Sequence, residues 1–165
     1  MNHSVSQQVN VIVNGTSLLG KTKDAKFPIP ERVTETVNEG RVIESFRNKG
    51  FKVGEFSFRQ DGLTHEQVML YGLAAGQNLP ITMKESVENA DGTTTKYEHQ
   101  ITGVINKVDK DKMAALDENI WTISGQTNTY KLLVDGKLVH DINVQTQKVV
   151  MFGKDLTKAH IDAVR

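Results

Sequence analysis

Residues 15–22, GTSLLGKT, match the phosphate-loop pattern G-x-x-x-x-G-K-[ST] letter for letter and follow an apolar, strand-like run. Gly15 and Gly20 would let backbone N–H groups surround a phosphate, Lys21 would neutralise it, and Thr22 would offer its hydroxyl to Mg²⁺. That chemistry requires the loop to open a helix whose N-terminus faces the phosphates. Pro28 and Pro30 arrive within about two turns of Thr22, where a helix interior does not tolerate them, and the chain lacks the alternating βαβ pattern of such enzymes. Residues 132–135, LLVD, imitate a strand ending in a magnesium-binding aspartate, but Asp135 is used with Gly136 in a hairpin turn. The match reads as coincidence, with Asn14-Gly15 as turn residues and Lys21, Lys23 and Lys26 along a solvated strand edge. A small nucleotide-binding enzyme using Gly15, Gly20, Lys21 and Thr22 is the alternative.

No other constellation carries chemistry. The five histidines, His3, His65, His99, His140 and His160, are far apart with no metal-ligand spacing, and solvated or half-buried imidazoles are expected. Asp109, Asp111 and Asp117-Glu118 begin like a calcium loop, yet Met113 and Ala114 stand where an oxygen ligand and a glycine belong. Asn2-His3-Ser4 and Asn14-Gly15-Thr16 match the glycosylation sequon formally, which has no meaning without a secretory route. G-x-S-x-G is absent. With no cysteine in the chain there is no disulfide framework, thiolate site or cysteine nucleophile. No catalytic residue, cofactor or metal is expected.

The elements that would position any site are mainly strands. The 165 residues suit one domain, 1–165, and a chain of this size buries roughly 70% of its unfolded surface. Twenty basic and twenty acidic residues cancel, so the broad cationic field of a tight nucleic-acid binder is missing and copies repel each other little. The first ten residues lack a basic and an apolar region of a signal, and no apolar run approaches the ~18 residues of a spanning helix. A soluble protein folded in a reducing cytosol is the expectation.

Residues 9–13, VNVIV, alternate and stop at Asn14-Gly15, predicting a first hairpin that reaches about Phe27. Phe27-Pro28-Ile29-Pro30 then leads into residues 28–50, read as an extended arm or long loop. Its apolar side chains Phe27, Ile29, Val33, Val37, Val42, Ile43 and Phe46 form a candidate inter-subunit contact. Residues 51–58, FKVGEFSF, read as a strand with a possible bulge at Gly54. Thr64 and Gln67 make a capping box for a helix over 65–75, with Val68, Tyr71 and Ala75 on one face and Gly76 ending it. Residues 81–87 and 93–108 flank Asp91-Gly92 as a second hairpin with mostly polar alternate positions. Residues 109–119 form a charged connection with one helical turn. Strand pattern resumes at 120–134 and meets the next strand at Asp135-Gly136, which suits a type I′ turn. The chain leaves the sheet at Gly153, where Asp155 caps a short closing helix with Leu156, Ala159 and Val164 at helical spacing.

In this order the residues resemble the major tail tube protein of contractile-tailed bacteriophages, a family that also supplies the tube of R-type bacteriocins. The likeness runs from about Val9 to Arg165. Its most specific part is YKLLVDGKLVHDINVQTQ followed by GKDLTKAHIDAVR, similar to the family's tyrosine-rich strand, DG hairpin, Ile-centred strand and Gly-x-Asp-Leu opening of the final helix. The family's glycine-rich signature in the arm is thin here, with Gly40 alone near Arg41-Val42-Ile43. The resemblance implies an antiparallel β-sandwich or half-barrel with one internal and one short C-terminal helix. It also implies a structural, non-enzymatic role: a homo-oligomer of hexameric rings stacked into the inner tube of a contractile tail, the conduit for DNA ejection. Implied partners are the tail sheath protein, the tape-measure protein and the baseplate hub, with DNA passing without specific binding and no membrane. The implied location is the virion, after assembly in the host cytoplasm.

Sliding DNA must not be held, and each phosphate neutralised by lysine or arginine adds salt-dependent affinity. A polar, neutral to acidic lumen is therefore expected, built partly by strands around 81–108. A monomeric β-sandwich binding module is a further alternative, although the single tryptophan, Trp121, suits a core or interface better than a sugar platform. If the phosphate-loop match is coincidental, ATP titration gives no saturable binding; binding that disappears in Lys21→Ala would restore the enzyme reading.

Overall fold

The computed structural model describes residues 4–40, 42–63, 67, 69, 71, 76–110 and 112–165. Its strands are β1 (Val5–Val13), β2 (Thr16–Ser17), β3 (Thr22–Lys26), β4 (Pro30–Val37), β5 (Ser45–Val53), β6 (Phe56–Asp61), β7 (Asn78–Glu88), β8 (Thr94–Lys110), β9 (Ile120–Val134), β10 (Lys137–Asn143), β11 (Lys148–Met151) and β12 (Lys154–Asp155), followed by helix α1 (Lys158–Ala163). Ten strands form one antiparallel sheet in the order β12-β11-β10-β9-β8-β7-β1-β2, with β6 on β9 and β3 on β6; β4 and β5 form a separate two-stranded sheet. This is the mainly β, antiparallel half-barrel expected. Of the helix expected over 65–75, Gln67 and Met69 are helical and the Tyr71 N–H donates to the Gln67 carbonyl at 3.0 Å. The rest of that helix, with Thr64, Val68 and Ala75, lies outside the described residues.

Strand alternation decides which side chains meet. Val13, Ile81, Ile101, Tyr130, Ile142 and Val149 lie opposite one another on six adjacent strands, and all six are buried. Two residues along, Val11, Met83, His99, Leu132, His140 and Met151 form the next row on the same face. Branched and aromatic side chains fit this pleated, covered surface, and each full burial contributes about 1.5–3 kcal/mol. These rows are the core.

The sheet curls because β9 serves two different strands along one side and its ladder with β8 is irregular. β9 pairs with β10 over its C-terminal half and with β6 over its N-terminal half, and the β8–β9 ladder shifts register between Thr102 and Gly103 and again between Ile105 and Lys107. Such irregularities bend a strand and increase its twist. The ring of buried Phe56 fills the bend against two glycines. A Cβ on Gly103 would stand 2.8 Å from Phe56 Cε1 and 2.2 Å from the Gln126 carbonyl oxygen, and one on Gly125 would stand 2.7 Å from Phe56 Cζ and 2.2 Å from the Val104 carbonyl oxygen. Only glycine fits either position.

Several expectations need correction. The hairpin at Asn14-Gly15 is two pairs long, Ile12 with Ser17 and Val13 with Thr16, because β3 turns away to pair with β6. Residues 51–58 are two strands rather than one: β5 ends at Val53, the Gly54 N–H donates to the Ile29 carbonyl at 3.4 Å, and β6 starts at Phe56. Residues 30–53 are not a loop but the β4–β5 hairpin, paired from Pro30–Val53 to Val37–Ser45. Among the described residues of the connection before β9 there are turns but no helical one, with Leu116 at φ 65°.

At the C-terminus, Phe152-Gly153 is a tight turn (φ 52° and 76°) from β11 into β12, so the chain stays in the sheet past Gly153. Asp155 Oδ1 accepts the N–H groups of Thr157 and Lys158 at 3.1 and 2.9 Å, so it caps the chain entering α1, whose N-cap position is Thr157. No residue of α1 is buried and Val164 is exposed, so the helix does not seal the body. The Asp135-Gly136 turn does have the positive φ values of a type I′ turn, 51° and 83°. It is tied to β8 through Asp135 N–H to the Lys96 carbonyl (2.8 Å) and Lys96 N–H to Asp135 Oδ1 (2.9 Å).

Where the chain leaves the core for β4, Phe27 stacks on His99 with ring centroids 4.2 Å apart. The Tyr130 hydroxyl lies 2.7 Å from His99 Nδ1. Burial pushes the His99 pKa down to about 4, so the ring is neutral and shares one hydrogen bond with the tyrosine through Nδ1.

Two outcomes follow from this packing. In chemical denaturation Phe56→Ala loses about 3–5 kcal/mol and Gly125→Ala about 3 kcal/mol or more. Gly54→Ala, whose Cβ meets nothing nearer than 3.6 Å, stays within about 1 kcal/mol of the parent. Because His99 binds its proton more weakly when folded, stability is full above its unfolded pKa of about 6.5 and falls as pH drops toward about 4. His99→Gln flattens that decline without abolishing it, since buried His140 is shifted in the same direction; an unchanged slope would contradict the assignment.

Candidate functional site: assembly surfaces

None of the catalytic candidates comes together. Asn14 and Gly15 are turn residues at φ 49° and 85°. The Leu18 carbonyl accepts the N–H groups of Lys21 and Thr22 at 3.0 and 3.1 Å and the Thr22 hydroxyl at 3.0 Å. The donors a phosphate would need are thus already used, and Thr22 opens a strand instead of a helix. Lys21 just before β3 and Lys23 and Lys26 along it are exposed. Among the described residues no group of three or more His, Asp or Glu side chains could hold a metal. Asp109 pairs with Lys107 (3.8 Å), Asp117 with Lys112 (3.1 Å) and Glu118 with Lys23 (3.4 Å), while Asp111, His3 and His65 lie outside the described residues. His99 and His140 are buried, deeper than expected, and His160 is exposed on α1. No helix among the described residues is long and apolar enough to cross a membrane.

The structure offers surfaces instead, and the first is the β4–β5 hairpin. Its flanks carry ion pairs, one between register partners and two diagonal: Glu31 with Lys52 at 3.0 Å, then Glu35 with Lys49 at 3.1 Å and Glu39 with Arg47 at 3.5 Å. Exposed pairs of this kind are worth about 0–1 kcal/mol each, so they solvate the hairpin more than they stabilise it. Arg32 lies over the Phe51 ring at 4.6 Å. Beyond that point apolar side chains face water: Val42, Ile43 and Phe46 are 103%, 81% and 72% exposed. Of the other arm residues, Ile29 is exposed, Val33 and Val37 are half-buried, and Phe27 is held by His99. A two-stranded hairpin is at best marginally stable alone in water.

The second surface is the side of the sheet opposite the core. Ile12, Thr82, Gln100, Lys131 and Asp141 form one row, and Asn10, Lys84, Glu98 and Leu133 the next. Its charges alternate in sign. Lys84 pairs with Glu98 at 3.7 Å and Lys148 with Asp141 at 3.1 Å. The face is therefore polar and close to neutral.

The third surface was not anticipated from sequence. Phe51 and Arg32 of the hairpin base and Met151, Phe152, Lys154 and Leu156 of the C-terminal segment line an open groove of about 420 Å³. Phe152 is 81% exposed at its edge. The signal for it was the Phe152-Gly153 pair, a large apolar residue at the tip of a tight turn.

In fold the chain is similar to a protein of the anti-feeding prophage baseplate, from a cryo-EM structure symmetrised six-fold: TM-score 0.56 at 12% identity, covering 78% of this chain and 94% of that one. It is similar to a type six secretion system protein, with TM-score 0.55 at 10% identity over 86% and 98% of the two chains. An Hcp protein matches with TM-score 0.52 at 8% identity over 76% and 91%. Identities this low establish the fold alone. No individual curated protein matches the sequence significantly. The family model described as phage tail tube protein FII, however, matches residues 5–164. The chain therefore belongs to the phage tail tube protein FII family and is a structural subunit, not an enzyme.

Proposed function

We propose that this subunit forms hexameric rings that stack into the inner tube of a contractile phage tail, and that the polar face of the sheet lines the channel through which DNA is ejected. The observation that carries this reading is the division of one curled sheet into a buried apolar face and an exposed face of alternating charge. Without a continuous row of cations, such a lining gives DNA no phosphate-by-phosphate hold, and salt-dependent affinity stays low.

Ring closure uses the sheet edges. Outside its two pairs with β2, β1 has a partner on one side only, leaving residues 5–10 with an open edge, and β12 at the far end is two residues long. Joining edges between copies removes unpaired backbone groups, and a head-to-tail contact of this kind closes into a ring when its rotation permits. The arm residues Phe27, Ile29, Val33, Val37, Val42, Ile43 and Phe46 supply the contact between copies, with the exposed tip acting on the next ring. The sheath protein then covers the outside, the tape-measure protein occupies the channel, the baseplate hub meets one end, and assembly occurs in the host cytoplasm before the tube becomes part of the virion.

Replacing Val42 and Ile43 together by Asp tests the arm. Both side chains are exposed, so the monomer keeps its melting temperature, while negative-stain images lose stacked tubes and retain rings or smaller species. Tubes of normal length from this variant would remove the arm from the account.

A further inference from the structure

The β4–β5 hairpin is joined to the body at discrete points. Its strands pair only with each other and form no ladder with the main sheet. Where its root lies over the core face, open hollows of about 410 and 420 Å³ flank Phe51, one against Ile142 and Val149 and the other against Met151 and Phe152. The attachments include partial burial of Phe51 and Val53, the Thr127 hydroxyl on the Gly54 carbonyl at 3.1 Å, and the stack of Phe27 on His99 at 4.2 Å. Only the last is built on a ring that titrates. His99 is 7% exposed while Phe27, its cover, is 38% exposed, so one phenyl ring separates the imidazole from water. Phe27 lies between β3 and β4, outside both strands. Moving it wets the imidazole without breaking a pair of the main sheet.

We infer that the Phe27–His99 stack is an acid-released latch: when His99 takes a proton, Phe27 leaves it and the β4–β5 hairpin undocks while the main sheet stays folded. The inference does not depend on how copies of the chain assemble. Tyr130 of β9 faces His99 at 2.7 Å. Neighbouring positions on the same face hold Glu85 of β7, Tyr97 of β8 itself and His140 of β10, and Lys26 precedes Phe27. Among the described residues no carboxylate forms an ion pair with His99, so a proton there is not compensated while the latch is closed. Burial holds the docked ring near a pKa of about 4, against about 6.5 for a wet imidazole. Docking is therefore at full strength above about pH 6.5 and weakens as pH falls toward 4, by about thirtyfold at pH 5.

His140 acts in the same direction. Its Nδ1 is buried without a hydrogen-bond partner, and the exposed ring of Phe152 covers it edge-on at 4.9 Å. Phe51 of the hairpin stands across the groove from Phe152, so undocking opens this side as well. The charged groups lining that groove are Arg32, Lys154 and Glu31, and Glu31 is matched by Lys52 at 3.0 Å. They offer a proton on His140 no free anion.

Hydrogen exchange read by mass spectrometry on the purified chain, corrected for the intrinsic pH dependence of exchange, tests the latch. Peptides covering 30–53 lose about thirtyfold of their protection between about pH 7.5 and pH 5. On further acidification they become unprotected while peptides from β8 and β9 still exchange roughly a hundredfold more slowly than the unfolded chain. His99→Gln removes most of the fall in the hairpin, and His160→Gln, on the exposed helix, leaves it unchanged. Hairpin protection that is independent of pH, that vanishes only together with β8 and β9, or that falls equally in His99→Gln would overturn the latch. Should His99→Gln not fold, the ring contact is followed by NMR in the parent chain. Phe27 then loses its contact with His99 as the histidine protonates, while the cross-strand pair Ile101–Tyr130 keeps its own. A stack that survives protonation of His99 would equally overturn the inference.

Discussion

The contact of Phe56 with Gly103 and Gly125 is the constraint from which the rest of the structure follows. It lets the two longest strands, β8 and β9, cross from one half of the sheet to the other, because the ring occupies the space two side chains would otherwise take. With the bend in place, β9 accepts β10 along one part and β6 along another, and the sheet curls toward a half-barrel. The N–H of Leu18, donated to the Val11 carbonyl, and that of Asp61, donated to the Lys21 carbonyl, bring the two ends near each other without a ladder between β1 and β3. A flat sheet would carry the same rows of Val, Ile and Tyr on one face but would not bring Phe56 and Phe58 of β6 round to cover them.

The same contact fixes one root of the hairpin. Going outward, the chain passes Phe27, stacked on His99, and buried Pro28; coming back, it passes Gly54, whose carbonyl accepts the Thr127 hydroxyl at 3.1 Å, and then Phe56. Two aromatic anchors thus bracket a hairpin that has little to bury of its own. Rigid roots and an unsatisfied tip suit an element that works between copies of the chain. Stability resides in the sheet, and the proposed assembly contacts reside in parts that contribute little to it.

What could be read in the sequence follows the same division. Asp135-Gly136 and Asp91-Gly92 were legible because a tight turn between alternating strands needs positive φ at fixed positions, and the C-terminal part of Ile120–Val134 was legible because Tyr130 and Leu132 on its core face alternate with Lys131 and Leu133. The β4–β5 hairpin was not, since a hairpin unsupported by a core carries no such alternation; Val33 and Val37 lie on β4, whereas Val42 and Ile43 lie in the connection that joins it to β5. Asn14-Gly15 did signal a turn, but local chemistry could not reveal that β3 would leave β1 for β6, a long-range choice. Gly103 and Gly125, set inside strong strand pattern, were the available sign of a close approach and passed unread. At the C-terminus a short helix was correct and its burial was not: Leu156 packs against the core from just outside α1, whereas Ala159 on the helix and Val164 after it stay exposed.

The central claim is that one curled sheet turns its balanced polar face toward a channel while its hairpin joins neighbouring copies. The most direct measurement is a three-dimensional reconstruction of the particles the purified chain forms. The account predicts stacked six-membered rings whose channel wall carries Thr82, Gln100 and Lys131, with Lys84 beside Glu98 and Lys148 beside Asp141. A chain that remains monomeric at every concentration, or a channel lined by an unbroken run of lysine and arginine, would contradict it.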